Sequence, residues 1–111
     1  MNVVVLQGAL TRSPEWRDLP SGVAVVSYEV TTRDERGEAC SVPVSWFDPP
    51  AGAVGFEAGD EIVVSGRVRR RFFRAGGVTQ SRTELIADAV VASRQAKRAR
   101  ALVAAAARRL Q

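Results

Sequence analysis

"EIVVSGRVRRRFF", residues 61–73, alternates without a break: Ile62, Val64, Gly66 and Val68 share one parity, Arg67, Arg69, Arg71 and Phe73 the other. A period of two belongs to a β-strand, whose successive side chains leave opposite faces, so this strand turns its aliphatic side to a core and its arginines to water. Phe73 is therefore expected as an exposed ring among cations. Phe72 has core parity but falls near or beyond the end of the core; there a hydrophobic plug and an exposed ring are both consistent with its position. Gly66, inside the strand, marks a point of sharp bending.

The same period recurs on either side. Val4, Leu6, Gly8 and Leu10 alternate in "NVVVLQGALT" (2–11), Val26, Tyr28 and Val30 in "GVAVVSYEVTT" (22–32), and Val42, Val44 and Trp46 in "CSVPVSWF" (40–47); "RTELIADAVV" (82–91) completes the set. Turn residues separate these runs at Ser13-Pro14, Pro20 to Gly22, Asp34 to Gly37, Pro49 to Gly59 and Gly76-Gly77. Five short strands in so few residues, with interior glycines, suit a small closed barrel better than a sandwich of seven or more. The predicted fold is all-β, a five-stranded OB-fold barrel with an extended fourth-to-fifth strand hairpin and a C-terminal α-helix. The barrel would occupy residues 1–92 and a basic, Ala-rich helix residues 93–111. On that helix Ala99, Leu102, Val103, Ala106 and Leu110 share a face, and Ser93 is a candidate cap. Packing on the barrel or a neighbouring subunit, contact with phosphates, and fraying are the three readings of this segment.

Charge is divided along the chain. Residues 1–61 carry four arginines against ten carboxylates, and residues 62–111 carry twelve cations against Glu84 and Asp88. The second half is thus a candidate surface for a polyanion. With 111 residues, 46% of them apolar, the chain can bury one core without staples, and the lone Cys40 can form no internal disulfide. Neither a membrane span nor a signal-peptide pattern is visible, so a cytoplasmic, nucleoid-associated location is expected. The chain has no histidine, Cys40 has no imidazole partner and the carboxylates are scattered over turns. Neither catalysis, nor a metal, nor a cofactor is expected.

Strand parity also places Phe47 outside, with Ser41, Pro43 and Ser45, while Trp46 points inward. Exposed rings flanked by guanidinium groups suit single-stranded nucleic acid: bases stack on the rings and cations neutralise the phosphates between them. The candidate contacts are Phe73, Phe47, Arg67, Arg69, Arg71, Arg74, Phe72, Trp16 and Arg33. Trp16 could equally fill the core. A protein-docking barrel with an aromatic patch is the rival reading.

"NVVVLQGALTRSPEWRDLPSG" resembles the N-terminus of bacterial single-stranded DNA-binding proteins, in Gly8, Leu10, Pro14, Glu15, Arg17, Pro20 and Gly22. "AGDEIVVSGRVRRRFF" is similar to a later strand of that family, with Val68 in its leucine place, and "TELIADAVV" to its last strand. The resemblance runs over residues 2–92. It implies an OB-fold that binds single-stranded DNA, with RNA not distinguished, and assembles as a homotetramer or homodimer. It also implies that Phe47 and Phe73 stack bases. Ser41 stands where many members have tryptophan, Arg33 ends a strand that lacks a further aromatic, and Pro49 to Gly59 is short for the family's connecting helix. A basic helix stands in place of the acidic tip that recruits repair enzymes, so no recruitment through such a tip is expected. Primosomal accessory barrels exemplify the rival, protein-docking reading.

Overall fold

The computed structural model describes residues 1–110. Its strands are Val4–Leu10 (β1), Glu15–Asp18 (β2), Ala24–Arg33 (β3), Ala39–Phe47 (β4), Glu61–Ala75 (β5) and Val78–Ala92 (β6), followed by one helix, Ala96–Ala107 (α1). The sheet order is β1-β5-β6-β4-β3-β2, and a further β1–β3 pairing closes five of the strands into a ring. All pairings are antiparallel except β4 with β6. This is an OB-fold. The sixth strand, β2, was not anticipated; its four residues are all exposed and hang on the outer edge of β3.

The alternating aliphatic residues fill the ring. Val26, Val30, Ile62 and Val64 are fully buried, with Leu10, Tyr28, Val44, Leu85, Ala87 and Val90 around them and Val4, Leu6, Val42, Trp46 and Phe56 sealing the margins. The Tyr28 hydroxyl donates to the Ala53 carbonyl at 2.6 Å, tying a single 3-10 turn (Ala51–Val54) over one end of the core. That turn is all that fills the Pro49 to Gly59 connection with helix. Burial pushes the Tyr28 phenol well above its ordinary range.

Gly8 and Gly66 are required by close approach as much as by bending. A Cβ on Gly8 would stand 2.4 Å from the Thr31 carbonyl oxygen, and one on Gly66 2.0 Å from that of Ile86. At Gly66 the β5–β6 register also slips: Ser65 faces Ala89 but Gly66 faces Ala87, leaving Asp88 as the extra residue of a bulge. From Ile62 to Gly66 β5 is buried wall, and β6 remains wall from Glu84 to Ala87, where Leu85 and Ile86 pair with β4; from Arg70 and Thr83 outward the two strands leave the barrel as a two-stranded ribbon. This corrects the inward placement of Val68 and decides the open reading of Phe72 against a hydrophobic plug. Val68 is 44% and Phe72 66% exposed despite core parity, because β5 extends past the core and has nothing to pack against on that side. The ribbon's root is held by Asn2, whose side-chain amide donates to the Val68 carbonyl at 2.7 Å and accepts from the Val68 N–H at 2.9 Å.

Outside the ring, Val63 and Val91 pack against Leu102 of α1, with Ala89 and Ala99 beside them, so the helix is docked on its own barrel. Leu102 and Ala106 are buried, whereas Val103 and Leu110 are exposed, because the contact stripe is narrower than the shared face suggests. Gln95, not Ser93, occupies the cap position, and the Ser93 hydroxyl accepts from Gln7 instead. The final residue of the expected 93–111 segment, Gln111, lies outside the described residues. No helix among the described residues is long and apolar enough to cross a membrane.

Gly66→Ala is expected to cost about 1–3 kcal/mol or more in thermal or urea unfolding, because backbone and not a flexible side chain must yield. Tyr28→Phe should cost about 1 kcal/mol at neutral pH. The buried phenol's raised pKa makes its contribution complete below ~10, the value of a free tyrosine, and progressively lost above it. The difference between the two proteins in unfolding experiments should therefore shrink as pH rises past ~10.

Candidate nucleic-acid interface

The outward faces of β2, β3, β4, β6 and β5 form one continuous surface, and strand register fixes who lies beside whom. Arg17 faces Val25, Val25 faces Phe47, and Ser27 faces Ser45. On the ribbon, Arg69 faces Glu84, Arg71 faces Arg82 and Phe73 faces Gln80. Parity and register together bring Phe47, Arg69, Arg71 and Arg82 to one groove of about 340 Å³, whose wall also holds Arg17, Pro43 and Glu84. A second depression of about 330 Å³, lined by Arg12, Glu15, Glu29 and Ser41, shares Ser27, Tyr28, Pro43 and Arg82 with the first. The two make a single channel across the β3–β4 face.

Phe47 is the last residue of β4. The strand ends there because Asp48 takes a positive φ of 51° and two prolines follow, neither of which can donate a ladder hydrogen bond. The Arg69 guanidinium carbon lies 5.5 Å from the centre of the Phe47 ring. That of Arg71 lies 5.6 Å from the Phe73 ring, which is 37% exposed. Each cation stands within the range of attraction to an aromatic face and orients its ring.

The arginines are not equivalent. Arg69 donates to the Glu84 carboxylate at 2.6 Å; Glu84 is 5% exposed, and the Nε of Arg69 is buried with no hydrogen-bond partner. Its charge is thus cancelled locally, and its evident work is to hold Phe47. Arg71 and Arg82 are cross-strand neighbours with no carboxylate partner among the described residues. Like charges placed directly opposite repel, and an anion between them removes the penalty. Arg12, further along the channel, is paired with Glu29.

The remaining predicted contacts distribute unevenly. Arg67 is exposed on the groove parity of β5, opposite Ile86. Arg33 ends β3 and donates to the Gly37 carbonyl in its own turn. Arg74 does the same to Gly77 at the ribbon tip. Phe72 lies on the ribbon's other face. Trp16 faces Val26, so it has the barrel-side parity of β2 rather than the groove parity; it is 43% exposed and its indole N–H donates to Asp18. Arg17 and Arg82 are the groove cations that the sequence reading did not select. The signal for both was parity, hidden at Arg17 by the unforeseen strand and at Arg82 by the bulge at Asp88, which breaks the alternation within the run 82–91.

A profile of the single-strand binding protein family matches residues 1–93. Two relatives bear the name single-stranded DNA-binding protein. That of Oceanobacillus iheyensis is 34% identical over 99 residues, spanning 81% of this chain and 62% of its own. That of Clostridium tetani is 33% identical over 99 residues, spanning 81% of this chain and 68% of its own. The chain thus spans about two thirds of the length of these relatives.

Glu84→Gln leaves a half-buried guanidinium facing a neutral amide, and unfolding experiments should show a loss of about 1–3 kcal/mol. The loss should be much smaller when Arg69→Met is already present, a coupling that a double-mutant cycle reads directly.

Proposed function

Because the chain belongs to the single-strand binding protein family, we infer that it binds single-stranded DNA along the channel of the β3–β4 face, with little dependence on base sequence. The observation that carries this reading is the pair of rings, Phe47 and Phe73, each under a guanidinium, bracketing the unpaired cations Arg71 and Arg82.

Exposed rings offer a face to any base, and stacking of this kind contributes about 1–3 kcal/mol per base. A duplex presents no free base faces, so it would gain the phosphate contacts without the stacking. Arg71 and Arg82, with Arg17 across the channel, are the phosphate ligands of this reading. Arg69 is a positioning residue: its charge belongs to Glu84 and its plane to Phe47. With one ring in the channel and a second on the same parity of the ribbon, one barrel is a modest binder, and the reading includes a homo-oligomer in which several barrels engage one strand and gain effective concentration. Replication, recombination and repair are the settings in which such binding serves.

Fluorescence anisotropy with labelled oligo-dT should show competition by unlabelled single strands and not by duplex of the same length. Across a salt series, Arg71→Ala and Arg82→Ala should each make the slope of log K against log salt shallower by ~0.7, while Phe73→Ala should weaken binding about tenfold to a hundredfold with the slope unchanged. Arg69→Ala should behave like a ring variant, not a charge variant. Equal affinity for duplex, or binding indifferent to salt, would contradict the reading and favour a protein-docking surface. Light scattering at micromolar concentration tests the assembly, and a monomer would contradict it.

A further inference from the structure

The run Arg70-Arg71-Phe72-Phe73 contains two Arg-x-Phe units offset by one residue. On a strand, an offset of one sends them to opposite faces. The unit Arg71/Phe73 has the groove parity, and its arginine lines the groove. The other, Arg70/Phe72, has the same internal geometry on the back of the ribbon: the Arg70 guanidinium carbon stands 5.7 Å from the Phe72 ring centre, against 5.6 Å in the groove unit. Arg70 is steadied by a 3.0 Å hydrogen bond to Ser81, directly across from Phe72.

We propose that this back face is a second stacking site, and that a single strand filling the groove continues around the β5–β6 ribbon to place a further base on Phe72. Three features point to a polynucleotide. Phe72 is 66% exposed, so its ring serves no core. Beyond the barrel, the back-face residues carry two arginines, Arg70 and Arg74, three hydroxyls, Thr79, Ser81 and Thr83, and no carboxylate, a surface suited to an anion. The ribbon is two strands across, with neighbouring strands ~4.8 Å apart, so the path from one face to the other is short for a flexible chain.

The inference rests on the single-strand reading above, and oligo-dT of graded length separates the two. With the full chain, Phe73→Ala should weaken binding at every length. Phe72→Ala should leave the shortest bound oligomers unaffected and weaken longer ones about tenfold to a hundredfold, with a shorter occluded length by titration. Arg70→Ala should reproduce that length dependence and flatten the salt response for long strands only. Both rings are exposed, and matching melting curves would confirm intact folding. If Phe72→Ala equals the parent at all lengths while Phe73→Ala weakens binding, the back face is not a site and the groove stands alone. If neither weakens it, the single-strand reading itself fails. Equal losses from Phe72→Ala at every length, or a changed oligomeric state with unchanged affinity, would overturn the second site in favour of a structural role or a contact between copies.

Discussion

The contact between the Gly66 backbone and the Ile86 carbonyl is the constraint on which the architecture turns. Two strands can approach that closely only where one of them lacks a Cβ, and the approach coincides with the bulge that leaves Asp88 unpaired. On one side of this point β5 and β6 are barrel wall, with aliphatic residues facing inward and, at Val63 and Val91, also facing out under α1. On the other side β5 turns its side chains to water at once, β6 stays in the wall as far as Glu84, and past Arg70 and Thr83 the two strands are a free ribbon. Because the period of a strand is two, the break between wall and ribbon leaves parity intact along β5 while changing what each face meets. Arginines that would otherwise crowd the helix are delivered instead to the margin of the β3–β4 face.

Parity is also why so much was legible in advance. The inward positions of β1, β3 and β4 were readable from alternation alone, since Val26, Tyr28, Val30 and Val44 could satisfy a core in only one register. Phe47 and Phe73 followed from the same rule. The reading weakened where parity and burial part company. Val68 and Phe72 have core parity, but no core reaches them. Trp16 and Arg17 lie on a strand of four residues, too short for alternation to declare itself, and the side each takes depends on pairing with β3. Long-range partners were beyond reach: that Glu84 cancels Arg69 depends on a β5–β6 register set by the turn at Gly76-Gly77, and nothing local to either residue announces it.

Electrostatically, the channel is selective in what it leaves uncompensated. Arg12 and Arg69 have carboxylate partners, as does Arg109 with Asp88 beyond the channel, whereas Arg71 and Arg82 stand opposite one another without one. A surface that neutralises Arg12 and Arg69, leaves Arg17 without a carboxylate partner among the described residues and sets Arg71 against Arg82 gives up stability to keep a gap of the right sign. The paired arginines order the groove, and the unpaired ones are available to a ligand.

That juxtaposed pair has a further consequence for how the ribbon moves. A two-stranded ribbon outside a core is held mainly by its ladder, the part of a β protein that opens most readily, and the Arg71–Arg82 repulsion lowers the free energy of that opening. A phosphate seated between the two guanidinium groups reverses the sign of the local interaction and so closes the ladder. Occupancy would then be written into the amide protons of β5 and β6: rapid hydrogen exchange from Arg69 to Arg82 in the free protein, slow exchange when a strand is bound, and little change in the barrel. Under the single-strand reading, recognition and local folding would share one pair of side chains, and an anion between them would stiffen the ribbon.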